Sequence, residues 1–453
     1  MTDGGLEGGA RFRRNPAVAR PRAPEARSRA RGLWFGDLSA RALVIACVLN
    51  LNGVAGMTFG MDGAVSVLMA VTAIVLVVMA GRYAWSPPLM LLMAAIIIYL
   101  LLGLLFHEPA QTVEGPGKYL RAYGGALPIL WGLAGYVASL RQGPRLSGFL
   151  VFLRNTSLIA AASVWASPIL YEFYVNLPFS FEQRMGGFFA NPNEAAMVAV
   201  LAVVLTLGLP FRNKLVQLVV LAMASIAVFM TLSKTGMSCL IIVLLWNLVS
   251  SAKWIGRVFL VLGAIGAILL IQDTNAILHA IADNPALQLD PGQKNRILAV
   301  GQILGGQIDE STTTGRSYLW GIATDRALDR FPLGNGLGSG HHLVGGMVEL
   351  GNWQGAHNTF LMMWAESGVL PLLLLLGAMI SAVLISLRHG RGGIALMCLF
   401  VLLMDMMATH GALSTRYHNA FLAIVLGLLA GGLVRRTKVG LMRGMWVRGR
   451  CLV

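Results

Sequence analysis

The sequence predicts an all-α polytopic membrane protein of about twelve transmembrane helices, with one long loop on the outer side that contains short helices. Three observations carry that expectation. Of 453 residues, 56% are hydrophobic and only 12% are charged, about half the charge of an ordinary soluble domain. Mean hydropathy is +0.70. The apolar residues also come in runs such as "PPLMLLMAAIIIYLLLGLLF" (87–106), near the ~20 residues that cross ~30 Å of hydrocarbon. Barrel strands alternate polar and apolar residues, and these runs do not.

Taken in order, apolar spans fall near 40–60, 61–81, 87–106, 123–140, 148–171, 193–209, 213–232, 235–249, 254–271, 368–387, 393–411 and 418–434. With the N-terminus in the cytoplasm, Arg82, Arg141, Arg145, Arg212, Lys214, Lys253, Arg257, Arg388 and Arg391 all fall inside. The opposite side holds Glu108, Glu114, Glu172, Glu182, Asp273, Asp283, Asp290, Asp309 and Glu310. This is the positive-inside asymmetry. It accounts for the net charge of +15 without a nucleic-acid partner. Both termini are then cytoplasmic.

Residues 1–38 are rich in Arg, Pro and Ala and lack the apolar stretch of a signal peptide. They are expected to form a disordered basic cytoplasmic arm near anionic lipid. Helices one to nine occupy 39–271, with a short outer loop at 172–192. The long outer loop takes 272–356, helices ten to twelve take 357–434, and a basic tail takes 435–453. Cys47, Cys239 and Cys398 lie in spans and Cys451 in the tail, so no pair suggests a disulfide or a metal site.

Chemistry is expected at the two outer segments, because a loop much longer than its neighbours commonly carries function. In the long loop, "SYLWGIATDRALDR" (317–330) reads as an amphipathic helix with Leu319, Ile322, Ala323, Arg326 and Ala327 on one side and Pro332 as its stop. Arg316 stands at its N-terminus, where free N–H groups and the dipole favour an anion and a guanidinium adds a planar fork. Pairing with Asp309 or Glu310 is the other reading. The run "GNGLGSG" (334–340) follows no strand and lacks Walker spacing, so it reads as a flexible turn. In the shorter loop, Arg184 precedes "MGGFFANPN", with Asn193 expected to cap the next helix and Glu194 in its first turn. Arg184 could equally snorkel to lipid phosphate. His357 and Asn358 close the long loop and either begin a helix or form part of an active site.

Arg184 with "GGFFANPN", "LSKTG" (232–236), "TGRSYLW" (314–320) with "FPLGNGLGSG", and "HNTFLMMWAESGVLP" follow one another in an order that resembles the O-antigen ligase and O-antigen polymerase superfamily of bacterial membrane glycosyltransferases. The resemblance runs from roughly 180 to 385. It implies transfer of a glycan from an undecaprenyl-pyrophosphate carrier to a hydroxyl acceptor at the periplasmic face of the inner membrane. Arg184 and Arg316 would then hold the pyrophosphate, and His357 would act at the sugar being joined. Asn358, Glu366 and Lys234 are possible supporting residues. Lys234 stands where many relatives carry an arginine, so it keeps the charge and loses the fork.

No Asp-x-Asp pair sits in an early outer loop to hold a divalent metal, so neither metal nor cofactor is expected and cationic side chains would stabilise the leaving group. Histidine suits general-base duty near neutral pH, and direct attack on an α-linked donor would invert the anomeric centre. The acceptor could be lipid A core, a growing glycan or a protein. The competing class is a flippase or transporter of lipid-linked oligosaccharides, which predicts charges within the spans and inverted repeats. Asp405, with His410 nearby, and Arg154 are the main exceptions to spans otherwise almost free of charge. Asp405 is expected to pack helices or to sit hydrogen-bonded.

Overall fold

The computed structural model describes residues 23–107, 116–140, 144–175, 184–251, 274–285, 291, 293–295, 297, 298, 316–340, 355–388, 392–409 and 411–439, with 23–33, 251, 274–277, 316, 317, 392 and 431–439 described by backbone alone. The regular structure among these residues is all helical, with no strand. The helices are α1 (Ala23–Val48), α2 (Leu51–Phe59), α3 (Asp62–Ala80), α4 (Pro87–Leu105), α5 (Pro116–Leu140), α6 (Pro144–Trp165), α7 (Ser167–Tyr171), α8 (Pro192–Gly208), α9 (Lys214–Met230), α10 (Lys234–Ser251), α11 (Thr274–Ala282), α12 (Arg316–Asp329), α13 (Thr359–Ser367), α14 (Val369–Arg388), α15 (Gly392–Ala408) and α16 (Arg416–Val439).

Five helices among the described residues are long and apolar enough to cross a membrane, or up to six if the bent pair α1–α2 is one span. Shorter apolar helices are α8, α9 and most of α10, α15 and α16. Eleven of the expected runs thus coincide with helix. The ninth, 254–271, lies outside the described residues. Two boundaries differ from expectation. Helix α1 begins at Ala23, within the stretch read as a disordered arm. The first span breaks at Asn50, whose backbone is left-handed (φ 50), and its halves bend by 56°.

Burial runs opposite to that of a soluble bundle. On α14, Leu370, Leu373, Leu376, Ile380, Leu384 and Leu387 are exposed at helical spacing, an apolar stripe facing outward where only lipid would cover it. On α9, Leu215, Leu218, Val219, Ile226 and Phe229 do the same. At the centre stands α8. Every residue from Ala195 to Leu205 is buried, as befits a helix apolar on all sides, and α6, α9, α10 and α15 surround it. Small residues bring other pairs close: a Cβ at Gly132 would run into the Ala73 carbonyl on α3, and one at Gly427 would crowd Ala134 and Val137 on α5.

The two ends of α8 are held by arginines. At its C-terminal end, Arg154 of α6 donates to the Leu209 carbonyl at 2.5 Å and lies 3.7 Å from the centre of the Phe211 ring. A cation there meets the negative end of the helix dipole. The opposite end is where the candidate site begins.

Candidate active site

Helix α8 starts two residues earlier than the sequence suggests. Asn191, not Asn193, is the cap: its side chain accepts from the Asn193 N–H at 2.9 Å, and Pro192 takes the first helical position, where a missing N–H costs nothing. Asn193 is thereby freed for Arg184, whose Nη2 donates to Asn193 Oδ1 at 2.7 Å while its Nε donates to the Thr231 carbonyl at 2.8 Å. Thr231 is the C-cap of α9, so the guanidinium sits where a helix end favours a cation. The Arg184 loop is itself pinned. Tyr171 donates to the Arg184 carbonyl and accepts from the Gly186 N–H, and Tyr174 donates to the Gly187 carbonyl at 3.0 Å. Burial, with Tyr171 beside it, pushes the Tyr174 phenol up to about 12, so at neutral pH it holds its proton and remains a donor.

The same contact draws in the "LSKTG" segment. Leu232 is left-handed (φ 51), and Ser233 accepts from the Gly236 N–H at 3.2 Å. Lys234 follows as the first residue of α10. The structure therefore brings Arg184 and the Lys234 turn together, three residues past the carbonyl that Arg184 holds.

His357 and Asn358 occupy the start of α13. Asn358 caps it, accepting from the N–H groups of Phe360 and Leu361 at 3.0 and 3.2 Å. His357 is half-buried and left-handed, with φ 43. That conformation is uncommon for a histidine, costs roughly 1–3 kcal/mol, and persists only where the surroundings impose it. Thr359 then fixes the first turn from outside, donating to the Thr409 carbonyl at 2.6 Å.

Helix α12 lies alongside. Its expected apolar side is buried as foreseen: Leu319 and Ala323 cluster with Ala356 and Leu361. Further along, Asn335 donates to the carbonyls of both Arg326 and Ala365. Residues near 319 thus meet residues near 356, and those near 326 meet those near 365. The two helices run in the same direction and start at the same end. Arg316 is the first residue of α12, so its backbone shares that end with His357; its side chain lies outside the described residues.

The glycine run is not a flexible turn. Residues 334–340 are all buried and docked on α13 and α4. Asn335 and Gly336 donate to the carbonyls of Ala365 and Glu366, and Leu337 donates to the Gly103 carbonyl at 2.8 Å. Gly336 adopts φ 92, and a Cβ there would meet the backbone at Phe106 and His107. These glycines exist for close approach. Glu366, fully buried, is the anchor: it accepts from the Tyr99 hydroxyl at 2.5 Å and from the Gly340 N–H at 3.1 Å. Its carboxylate lies in the core, between α4 and the glycine run.

Residues 218–376 match the family model described as O-Antigen ligase. Over this segment the chain is similar to the O-antigen ligase family. No curated protein and no solved structure matches the chain. The O-antigen ligase segment holds Lys234, Arg316, His357, Asn358 and Glu366, and it leaves Arg184 and α15–α16 outside.

Those outside helices carry Asp405, hydrogen-bonded as expected, together with Arg416, Tyr417 and His418, which sequence reasoning passed over. Asp405, 1% exposed on α15, accepts from Thr409 at 3.1 Å and from the Tyr417 hydroxyl at 2.7 Å, and it pairs with His418 Nδ1 at 2.8 Å. Its imidazole partner is therefore His418, not His410, which lies outside the described residues. Arg416, at the start of α16, donates to Ser66 of α3 at 2.6 Å. The signal available was "TRYHNA" (415–420), five polar side chains at the head of an apolar run. The Tyr417 ring meets Phe189 of the Arg184 loop edge-on, 5.9 Å between centres. So the O-antigen ligase segment and the Arg184 loop are joined through the α15–α16 corner. Among the described residues, no three His, Cys, Asp or Glu side chains gather as metal ligands would.

Proposed function

We propose that this protein is a membrane glycosyltransferase that moves a glycan from an undecaprenyl-pyrophosphate carrier to a hydroxyl acceptor at the periplasmic face of the inner membrane. What supports the reading best is the shared end of α12 and α13, where Arg316 starts one helix and His357–Asn358 starts the other. Two helix N-termini at one end favour an anion, and an arginine there adds charge-assisted donors suited to phosphate oxygens.

In this reading the pyrophosphate lies between Arg316 and Arg184, with Lys234 beside the latter. The acceptor oxygen attacks the anomeric carbon as the bond from that carbon to the phosphate oxygen breaks. The bonding pair leaves with the pyrophosphate, where the arginines stabilise the growing charge. His357 takes the hydroxyl proton. A single displacement on an α-linked donor inverts the anomeric centre, and the cationic side chains perform this without a metal. Asn358 and Glu366 hold the frame and touch no reacting atom. Lipid A core, a growing polysaccharide and a protein would all serve as acceptors for the same groups.

The test is transfer by purified protein supplied with the host's own lipid-linked glycan, extracted from a deletion strain. His357→Ala and Arg316→Ala should each cut joining to a small residual rate while the protein stays folded. Wild-type rates in His357→Ala would remove the histidine from the chemistry. Movement of the labelled donor across vesicles without joining would instead favour a flippase.

A further inference from the structure

We propose that the buried Asp405 carboxyl group is a positioning residue for the transfer site, fixing His357 through Thr409 and Thr359, and the Arg184 loop through Tyr417. The inference rests on the glycan-transfer reading above for its kinetic consequences, and on geometry alone for the rest.

Helix α13 has nine residues, too few for its own backbone to hold it in place. Yet it must keep the preceding His357 in a left-handed conformation, φ 43. Asn358 satisfies the first amides from within but gives the helix no fixed position in the molecule. The Thr359 hydroxyl does so, by donating to the Thr409 carbonyl. Thr409 is the residue just past α15, where carbonyls lack helical partners and the chain tends to fray. Its own hydroxyl is tied back to Asp405 Oδ1, four residues earlier. The other oxygen, Oδ2, takes the Tyr417 hydroxyl and His418 Nδ1 from the start of α16. Tyr417 in turn packs on Phe189, and Phe189, fully buried, lies between Arg184 and the α8 cap at Asn191.

One carboxyl group therefore has a line of contacts to each half of the site, one through each oxygen. The arrangement is asymmetric in a useful way. Thr359→Val is nearly isosteric and removes only the line to His357. Asp405→Asn offers a single acceptor oxygen where two are used, so it loosens one line or both. Misplacing a reacting group by about 1 Å costs as much as ~100-fold in rate, so small displacements suffice.

The experiment pairs hydrogen exchange with kinetics on the full-length protein in detergent micelles. Thr359→Val should speed amide exchange at Phe360–Met362 and leave the Phe189 turn unchanged; Asp405→Asn should speed exchange at one or both. With the host's lipid-linked glycan as donor, Thr359→Val should lower kcat roughly tenfold or more with the donor KM unchanged, and Thr359→Ser should restore it. In a His357→Ala background Thr359→Val should have no further effect on residual transfer, because it acts through the histidine. The proposal is overturned if Thr359→Val leaves exchange at α13 as it was, or cuts transfer by the same factor with and without His357. If His357→Ala itself transfers at the normal rate, the reaction assignment fails, and the exchange results alone then decide whether Asp405 holds α13.

Discussion

Replacing Glu366 separates a buried clamp from a catalytic carboxyl group. Its two oxygens take the Tyr99 hydroxyl and the Gly340 N–H in a site with no exposed surface. Glu366→Ala would orphan both donors, at about 1–3 kcal/mol each, or about 2–6 kcal/mol together. That is a large part of the ~5–15 kcal/mol that holds a typical domain. Glu366→Gln keeps the volume. Its remaining oxygen can take the Gly340 N–H while its amide donates to the phenol oxygen, since a tyrosine hydroxyl can turn from donor to acceptor. A net cost of ~1 kcal/mol is expected. Tyr99→Phe should fall near the Gln value, and the double variant should cost less than the sum, because both changes remove the same contact.

Denaturant unfolding in micelles measures the stabilities, and transfer by the same preparations measures function. Stability should follow wild type, Gln, Ala in descending order, with transfer tracking the folded fraction. If Glu366→Gln abolished transfer at an unchanged midpoint, Glu366 would touch substrate, and its role as a clamp would be wrong.

Removing Arg154 should destabilise without touching chemistry. Arg154→Ala leaves the Leu209 carbonyl unpaired and the Phe211 face bare, costing roughly 2–4 kcal/mol by chemical unfolding, with kcat per folded molecule unchanged. Arg154→Lys should recover only part, since it keeps the charge and loses the planar stack. At His357, glycine relieves the left-handed backbone, so His357→Gly should unfold at or above the wild-type midpoint and still fail to transfer, where a purely structural histidine would tolerate the exchange. Tyr174 bears on alkaline stability: its folded pKa of about 12 lies above the unfolded value of ~10, so its contribution is complete below pH ~10 and disappears as pH rises towards 12. Tyr174→Phe should flatten the stability profile across that window; an unchanged slope would show that burial of the Tyr174 phenol carries no proton linkage.

The spans were legible because lipid-facing helices need only one property, sustained apolarity, and every residue of a run reports it. The buried side of α12 was legible for a related reason: Leu319, Ala323 and Ala327 recur at helical spacing. Asn358 gave away its cap because a cap is a local device, read from two or three neighbours. What failed was non-local. Nothing within 334–340 separates a loose glycine turn from one packed against a distant carbonyl, because the partners Gly103, Phe106 and Glu366 lie far away in the chain. Asp405 was visible as a buried acid, but its partner was chosen by nearness in sequence. The chain turns at 411–415, and this brings Tyr417 and His418 back onto it. The cap at Asn191 was misplaced by two residues because Asn, Pro, Asn permits either asparagine, and only Arg184's claim on Asn193 decides between them.

The division of α13 from α14 has its own logic. A continuous helix through 359–388 would put Glu366 on a lipid-crossing segment and give the glycine loop nowhere to dock. Gly368 (φ 80) ends α13 instead, and a Cβ there would strike the Pro332 carbonyl; the Val369 N–H then takes that same carbonyl at 3.0 Å. The break thus fastens the end of the α12 loop to the start of α14. It leaves α13 lying between a membrane helix and the long loop, with its capped N-terminus beside the first turn of α12. In the glycan-transfer reading proposed above, an enzyme whose donor is half lipid and half sugar needs such a piece. The anion must be met at the edge of the membrane by groups too polar to lie within it, and those groups must still be held to within fractions of an ångström. A half-helix clamped at one end by Glu366 and pinned at the other by Thr359 satisfies both demands.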